Sequence, residues 1–287
     1  MTTCFFVSDL HGRIERYRKL FDRIASENPQ IVFMGGDLLP SGMMAAVSGS
    51  NEPPDFIDGF LTPELVKLKD RLGDNYPRIM VILGNDDPRS EEEVILELSA
   101  NGLIEYIDNR RTSMGEFDLY GYACVPPTPF RLKDRERYDV SRYTDPGRIS
   151  PEEGVRTAPL PDGNPRYVTI QKDLEILTEG RNLEKSVFLF HAPPYDTNLD
   201  RAALDGMMVE GVPVDVHIGS IAVKRLILAR QPLVTMHGHV HESSGLTGKW
   251  RDKIGRTNCY NAAYDGSELA LIRFTLEEPD KAVRELI

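Results

Sequence analysis

Short apolar runs alternate with amphipathic stretches along the first third of the chain. The runs Cys4 to Val7, Ile31 to Met34 and Ile79 to Leu83 have the length and composition of buried strands. Between the first two, Ile14 to Ala25 repeats apolar residues at spacings of three and four, the pattern of a helix packed on a sheet. Two further helices are predicted, at Glu64 to Leu72 and Glu91 to Leu98. Strands that alternate with helices predict a mainly parallel sheet.

Strand candidates dominate the later part of the chain. Phe117 to Tyr122, Arg256 to Asn261 and Leu269 to Leu276 have few helical stretches between them, which favours antiparallel pairing. A predicted helix from about Ser220 to Ala229 restores the α/β pattern. We therefore predict an α/β fold in which a second sheet packs on the first.

Two long segments carry no clear periodicity, Leu38 to Phe60 and Val125 to Pro165. The first is rich in Gly, Ser, Met and Pro, and the second holds eight prolines. Loops longer than about 15 residues are usually functional or disordered, and each segment begins just past a predicted strand end. We interpret both, at about 38–60 and 125–165, as lid-like insertions that face a substrate; surface decoration is the alternative.

Composition and charge limit the classes of function. The chain has 45 acidic and 34 basic residues, and its net charge of −11 opposes nonspecific binding to nucleic acid. The three cysteines, Cys4, Cys124 and Cys259, are far apart and favour neither a disulfide framework nor a zinc knuckle. The sequence shows neither a signal peptide nor a membrane span. We predict a cytoplasmic protein with no membrane partner, and the oligomeric state stays open.

Five predicted strands end at residues that can bind a metal. These ends read Ser8-Asp9-Leu10-His11-Gly12, Gly35-Gly36-Asp37, Gly84-Asn85-Asp86-Asp87, His191-Ala192-Pro193-Pro194 and His237-Gly238-His239-Val240-His241. Ligands of open α/β sheets collect beyond the carboxyl ends of the strands, so these distant side chains are predicted to converge. Because a site built from both ends of the chain cannot be divided, we predict a single domain over 1–287.

The types of donor atom favour a transition metal. Asp9 and His11 are one residue apart and would face the same side of an extended strand end. Asp37 follows two glycines and offers two oxygens, with which it can bridge two cations. The mixture of imidazoles, carboxylates and the Asn85 amide suits Mn, Fe, Zn, Co or Ni better than Mg or Ca. Two such ions about 3.5–4 Å apart can clamp a phosphoryl group and activate water.

The ordered set of motifs resembles that of the calcineurin-like metallophosphoesterases. That family carries D-x-H, G-D, G-N-H-[DE], H and G-H-x-H; this chain carries D-L-H, G-G-D, G-N-D-D, H-A-P-P and G-H-V-H between Asp9 and His241. Each motif alone is common, but the ordered set is specific. The resemblance implies a four-layer α-β-β-α sandwich with two mixed β-sheets. It also implies a phosphohydrolase in which a metal-bound hydroxide attacks phosphorus.

The resemblance further implies a ligand set for two divalent metal ions, of which Mn is favoured. The first ion would be held by Asp9, His11, Asp37 and His241. The second would be held by Asp37, Asn85, His191 and His239, with Asp37 as the bridge. Asn85 would also position an oxygen of the substrate.

Asp86 is a catalytic candidate that departs from the family pattern, since efficient phosphomonoesterases carry His at that place. An ionised carboxylate there would repel an anionic phosphate, unless it turns away, coordinates through water or is protonated beside Asp87. We therefore predict a phosphodiesterase that acts on a small phosphodiester or nucleotide-type substrate, because a good leaving group needs less acid assistance. The alternatives are a phosphomonoesterase, in which His237 or a water replaces the acid, and a non-catalytic interaction scaffold.

Several other polar residues have two interpretations. Arg13, at the start of the first predicted helix, could contact a substrate phosphate or be a solvated first-turn residue. His237 is interpreted as a strand-end or supporting residue, and His217 as one packed beside a helix that Ser220 caps. The second insertion has cations interleaved with aromatic residues, which could bind a nucleotide or simply pair with nearby acids. These cations are Arg131, Lys133, Arg135, Arg137, Arg142 and Arg148.

Overall fold

The computed structural model describes residues 1–40, 55–160 and 164–287. The strands in chain order are β1 (Thr3–Val7), β2 (Ile31–Gly35), β3 (Arg78–Ile82), β4 (Glu105–Tyr106), β5 (Arg110–Met114), β6 (Phe117–Tyr122), β7 (Ser186–Phe190), β8 (Met208–Val209), β9 (Val212–Pro213), β10 (Val234–His237), β11 (Arg251–Ile254), β12 (Thr257–Asn261), β13 (Ala270–Thr275) and β14 (Val283–Leu286). The α-helices are α1 (Ile14–Glu27), α2 (Thr62–Leu72), α3 (Glu92–Ala100), α4 (Ile170–Leu177), α5 (Ile221–Arg230) and α6 (Ser243–Thr247).

Two six-stranded mixed sheets form the centre of the fold. The first has the spatial order β14-β13-β1-β2-β3-β4, and β1 to β4 are parallel to one another. The second has the order β11-β12-β10-β7-β6-β5, and its four central strands are parallel. Antiparallel strands flank both parallel groups. Strands β8 and β9 make a separate short hairpin.

Alternating side chains of each strand enter different hydrophobic cores. In β1, Phe5 and Val7 pack against α1, α2 and α3, whereas Cys4 and Phe6 face the second sheet. The second sheet repeats this division, since Phe188 faces α4 and α5 in a third core. A period of two along a strand places successive side chains on opposite faces, so each sheet is covered on both sides. The predicted four-layer α-β-β-α sandwich is thus confirmed.

The prediction of antiparallel pairing in the later strands was wrong in part. Phe117–Tyr122 is antiparallel to β5 but parallel to β7, and Thr257–Asn261 is antiparallel to β11 but parallel to β10. Ala270–Thr275 is antiparallel to both neighbours, but it belongs to the first sheet. The missed helix Ile170–Leu177 explains much of the error, because it provides a crossover between β6 and β7.

The first insertion ends in a packed helical segment. A single turn of π-helix at Ile57–Leu61 leads into α2, and the rings of Phe56 and Phe60 pack on Tyr17. This part of the predicted 38–60 lid therefore belongs to the core beside the first sheet. Residues 41–54, which make up most of that prediction, lie outside the described residues.

The second insertion is held by buried ion pairs. Lys133 and Glu136 are fully buried and form a salt bridge, and Arg135 is equally buried beside Glu92. Thr128 donates from both its backbone N–H and its hydroxyl to Glu136. Of the two interpretations of these cations, pairing with nearby acids is therefore the one that Lys133 and Arg135 follow. A lid role for either insertion stays a prediction.

Among the described residues, no helix combines the length and the apolar character that crossing a bilayer requires.

The second insertion also caps helix α5. The Asp139 carboxylate accepts hydrogen bonds from the N–H groups of Ile221 and Ala222 and from the Ser220 hydroxyl, at 2.6, 3.2 and 2.6 Å. Ser220 in turn accepts from the Val223 N–H at 3.1 Å. These contacts satisfy N–H groups that have no partner within the helix.

We expect Asp139→Ala to lower the free energy of unfolding by about 1–3 kcal/mol, because it leaves buried N–H groups of the first helical turn without an acceptor. Urea denaturation followed by circular dichroism measures the loss. Asp139→Asn keeps one acceptor oxygen and should lose less. Equal stability of Asp139→Ala and the wild type would contradict this role.

Candidate metal centre

The five strand ends predicted to bind metal meet at one edge of the sandwich. They follow β1, β2 and β3 of the first sheet and β7 and β10 of the second. Asp9 Oδ1 lies 2.9 Å from His241 Nε2, although 232 positions separate the two residues. The predicted convergence of these side chains is therefore observed.

The first group of donor atoms consists of Asp9, His11, Asp37 and His241. Each contributes one ligand atom, and all four atoms lie within 4.8 Å of one another. The Nε2 atoms of His11 and His241 face each other at 3.2 Å beside the fully buried Asp9 carboxylate. Two imidazole nitrogens and a carboxylate that lie this close together are donor atoms that could bind one cation.

The second group shares Asp37 with the first and adds His191 and His239. His191 Nε2 lies 3.2 Å from Asp37 Oδ2 and 3.1 Å from Asn85 Oδ1. The other ring nitrogen of His191, Nδ1, donates to the Gly35 carbonyl at 2.8 Å. That bond directs Nε2 toward the group, as outer hydrogen bonds commonly do for histidine ligands.

The backbone at several of these residues is left-handed. The φ angles are 57° at Asp9, 48° at His11, 50° at Asp37 and 70° at His239. The expectation that Asp9 and His11 sit on one side of an extended strand end was therefore wrong. A turn after β1 brings the two side chains together instead. Positive φ angles strain the backbone of non-glycine residues, and such strain is common at functional sites.

Hydrogen bonds between backbone groups join the turn after β1 to the turn after β2. The N–H groups of Asp9, His11 and Gly12 donate to the carbonyls of Gly36, Asp37 and Leu38, at 2.9, 2.8 and 2.8 Å. The Asp9 carboxylate also accepts from the backbone N–H of His239, in the second sheet. Three of the turns that carry donor atoms are thereby held in a fixed relation.

Asp87 joins the turn after β2 to the turn after β3. Its fully buried carboxylate accepts from the N–H groups of Leu38, Leu39 and Gly84, at 3.1, 2.7 and 2.7 Å. Burial, and then the charge of Asp37, raise the pKa of Asp87 to about 6. These three contacts are all with backbone N–H groups. They do not support a proton shared between Asp87 and Asp86.

Asp86 lies beside the first group of donor atoms. Its N–H donates to Asp37 Oδ1 at 2.8 Å, and its Oδ2 lies 3.4 Å from His11 Nδ1. The Asp86 side chain is 38% exposed, so it is accessible from solvent while His11 is mostly covered. The carboxylate is thus directed toward the site rather than away from it.

The donor residues show strong mutual electrostatic effects. Burial opposes ionisation of Asp9 and Asp37, but the neighbouring histidines hold the pKa of each carboxyl below its usual value. Burial likewise opposes protonation of His11 and His191, yet nearby carboxylates raise the pKa of each to about 9. By contrast, burial and then the charge of His191 lower the pKa of His239 to about 3.

Two arginines lie next to the turn after β1. Arg13 precedes α1, and its Nη1 donates to the Gly266 carbonyl at 3.2 Å. Its catalytic role stays a prediction. Arg16, which sequence reasoning did not single out, is buried and donates to the Asp9 carbonyl at 2.8 Å and to Gly266 at 2.6 Å. Its position on the apolar face of α1, beside Tyr17 and Leu20, was the available signal.

The two histidines outside the motifs have supporting positions. His237 is fully buried, donates from Nδ1 to the Ala192 carbonyl and accepts at Nε2 from the Thr235 hydroxyl, each at 2.8 Å. His217 lies 2.8 Å from the buried Asp200 carboxylate. Ser220 caps α5, as expected from the sequence.

Comparison with known families assigns the chain to a class. A sequence model of the calcineurin-like phosphoesterases matches residues 2–243. The chain therefore belongs to the calcineurin-like phosphoesterase family, and it is a metal-dependent phosphoesterase. No curated protein matches it.

Solved structures share the fold. The protein TT1561 of Thermus thermophilus is 15% identical, with a TM-score of 0.55 and coverage of 99% of this chain and 98% of that one. A dimetal phosphatase from Danio rerio is 12% identical, with a TM-score of 0.53 and coverage of 95% and 91%. At these identities the likeness concerns the fold alone.

The donor set fits two divalent ions, on which this family depends. Nitrogen and oxygen donors are mixed in both groups, and Asp37 belongs to both. Asp9, His11, Asp37 and His241 would hold one ion, and Asp37, Asn85, His191 and His239 the other. When bound, the ions would supply Lewis-acid chemistry to a phosphoryl group and a water. The preference for Mn stays a prediction.

We expect Gly84→Ala to lower the metal content of both groups, because they share Asp37. A Cβ at this position would lie 2.1 Å from Asp37 Oδ1 and 2.4 Å from the Asp37 nitrogen, so the shared carboxylate must move. Elemental analysis after dialysis against Mn²⁺ measures the metal content. Gly245→Ala is the control, because its added Cβ would meet nothing within 4 Å beyond its chain neighbours and its own helix. A folded Gly84→Ala variant with wild-type metal content would contradict this geometry.

We also expect binding of Mn²⁺ to release protons at pH 7. His11 and His191 have pKa values of about 9, so both are mostly protonated at pH 7 and must lose a proton to bind metal. Affinity should therefore rise with pH until it passes about 9. Calorimetric titrations in two buffers of different ionisation enthalpy measure the release. A binding enthalpy that does not depend on the buffer would refute the expectation.

Proposed function

We propose that this protein is a phosphodiesterase that hydrolyses a small phosphodiester or nucleotide-type compound with two metal ions, Mn²⁺ being favoured. The observation that carries the proposal is the position of Asp86, whose partly exposed carboxylate lies 3.4 Å from His11. This residue occupies the place at which efficient phosphomonoesterases of the family carry His.

The charge of Asp86 supports a diester substrate. A phosphodiester carries one negative charge, whereas an ionised monoester carries up to two at neutral pH. Each additional negative charge held several ångströms from Asp86 costs on the order of 1–3 kcal/mol, allowing for solvent screening of a partly exposed group. A dianionic substrate is therefore disfavoured relative to a monoanionic one by roughly five-fold to a hundred-fold.

The surroundings of His237 support the same substrate. A phosphomonoesterase alternative would need His237 or a water to take the place of that histidine. However, both ring nitrogens of His237 have partners, and burial lowers its pKa to about 3. Such a residue is a poor proton donor, and a leaving group that needs little protonation fits the site better.

The residues of the chain can be given distinct roles. Asn85 offers its amide oxygen to the second group and is held beside His191. Asp37 is fixed by the Asp86 N–H, which keeps the shared carboxylate between the two groups. Arg13 is proposed to stabilise charge on the phosphoryl oxygens with the part of its guanidinium that does not contact Gly266. The net charge of −11 favours a compact substrate over a nucleic acid polymer.

We expect Asp86→His to raise the ratio of monoesterase to diesterase kcat/KM by about ten-fold or more, because it removes a negative charge and adds a proton donor. Matched aryl monoester and aryl diester substrates, assayed with the Mn-loaded protein, measure this ratio. Asp86→Asn separates the two effects, since it removes the charge without adding an acid.

Asp196→Asn serves as a control, because it removes a carboxylate that is 74% exposed and belongs to neither donor group. Wild-type protein that turns over monoesters as well as or better than diesters would refute the proposal. If diesters are preferred, a screen of cyclic nucleotides, dinucleotides and nucleotide sugars would identify the compound class among diesters and pyrophosphates.

A further inference from the structure

The turn that carries Asn85 and Asp86 is contacted by a buried arginine of the second insertion. Arg135 is fully buried, and its Nη1 donates to the backbone carbonyl of Asp87 at 2.9 Å. Its Nη2 lies 3.4 Å from the Tyr106 hydroxyl and 3.5 Å from Glu92. A planar guanidinium can contact these groups together, which a lysine cannot do.

A second contact joins the same two parts of the chain. Asp134, the residue before Arg135, accepts from the backbone N–H of Arg89 at 2.8 Å and from the Thr157 hydroxyl at 2.5 Å. Arg89 in turn donates from Nη2 to the Asp134 carbonyl at 3.1 Å. The turn after β3 is therefore held from outside at Asp87 and at Arg89.

Asp87 connects this outer contact to the donor atoms. Its carbonyl accepts from Arg135, while its carboxylate accepts from Leu38, Leu39 and Gly84. Movement of Asp87 would thus shift Asn85, two residues away, relative to Asp37. Asn85 lies 3.1 Å from His191 of the second donor group, whereas three of the four residues of the first group follow β1 and β2, whose turns are joined by their own backbone bonds.

We propose that Arg135 is a positioning residue that fixes the turn of Asn85 and Asp86, and thereby forms the second metal position. In this role the second insertion is a fixed brace for the metal centre. The inference rests on the two-metal site of the proposed function. It concerns a residue outside all five motifs.

The test is calorimetric titration of the full-length, metal-free protein with Mn²⁺, together with elemental analysis. Arg135→Met should bind the second ion about 10–100-fold more weakly, the effect typical of changes to outer-shell partners, and the first ion with a smaller loss, because Asp37 is shared by both groups. Electron paramagnetic resonance should show an exchange-coupled Mn pair in the wild type and an isolated Mn²⁺ in the variant. A residue that only stabilised the fold would not change this spectrum.

Lys133→Met is the matched control, because Lys133 is also fully buried and paired in the same insertion, but its ammonium group bonds to Glu136 and the Thr128 carbonyl rather than to the turn after β3. It should lower the Tm while both ions still bind. If Arg135→Met does not fold, Arg135→Lys replaces it, since a lysine keeps the charge but loses the planar fork; we expect weaker binding of the second ion there too.

The outcomes separate this inference from the proposed function. Wild-type protein that binds no Mn²⁺ pair would overturn the two-metal site itself. Wild-type protein with a coupled pair, and an Arg135 variant with the same two affinities and the same spectrum, would overturn only the role of Arg135. Equal loss of the second ion in the Lys133→Met control would also overturn it, since the effect would then be one of general stability.

Discussion

The hydrogen bond from the His239 backbone to the Asp9 carboxylate is the contact on which the site depends most. It joins the turn after β1, in the first sheet, to the turn after β10, in the second. Because Gly238 has no side chain, the two turns can approach closely; a Cβ there would lie 2.4 Å from Asp9 Oδ2. Without this approach neither donor group would be complete, because each draws residues from both sheets.

The left-handed backbone at the donor residues follows from the same closeness. Asp9, His11, Asp37 and His239 all have positive φ angles, which L-residues adopt only when surrounding bonds hold them. Here those bonds are known: Asp9 and His11 donate to the neighbouring turn, and His239 donates to Asp9. The turns are therefore shaped before any ion binds, and little reorganisation is needed to form the coordination sphere.

The sequence predicted the donor set better than it predicted the surroundings of the set. Apolar runs of four or five residues define strands, and strand ends in α/β sheets point to a common edge, so the convergence of Asp9 with His241 could be foreseen. The turn geometry could not, because alternation along an extended strand does not describe a turn in which φ is positive at Asp9 and His11. The burial of the charged residues in the second insertion was harder still to predict. The segment from Lys133 to Glu136 has the composition of a solvated loop, and only the folded chain shows that it is buried. The burial of Arg135 was hidden for the same reason, because it depends on partners far along the chain, whereas the place of Arg16 on the apolar face of α1 was a signal in the sequence.

Asp86 stands where the family resemblance leads one to expect His, and its carboxylate changes the charge balance of the whole centre. Relative to a neutral residue, the carboxylate lowers the net charge of the donor set by one unit. A phosphodiester carries up to one negative charge fewer than an ionised monoester, so a diester compensates for the added carboxylate. His11 offsets part of the new charge in the metal-free chain, because Asp86 is first among the groups that favour its protonated form. Under the proposed function an ion takes the place of that proton, and a monoanionic phosphoryl group then adds less negative charge beside Asp86 than a dianionic one.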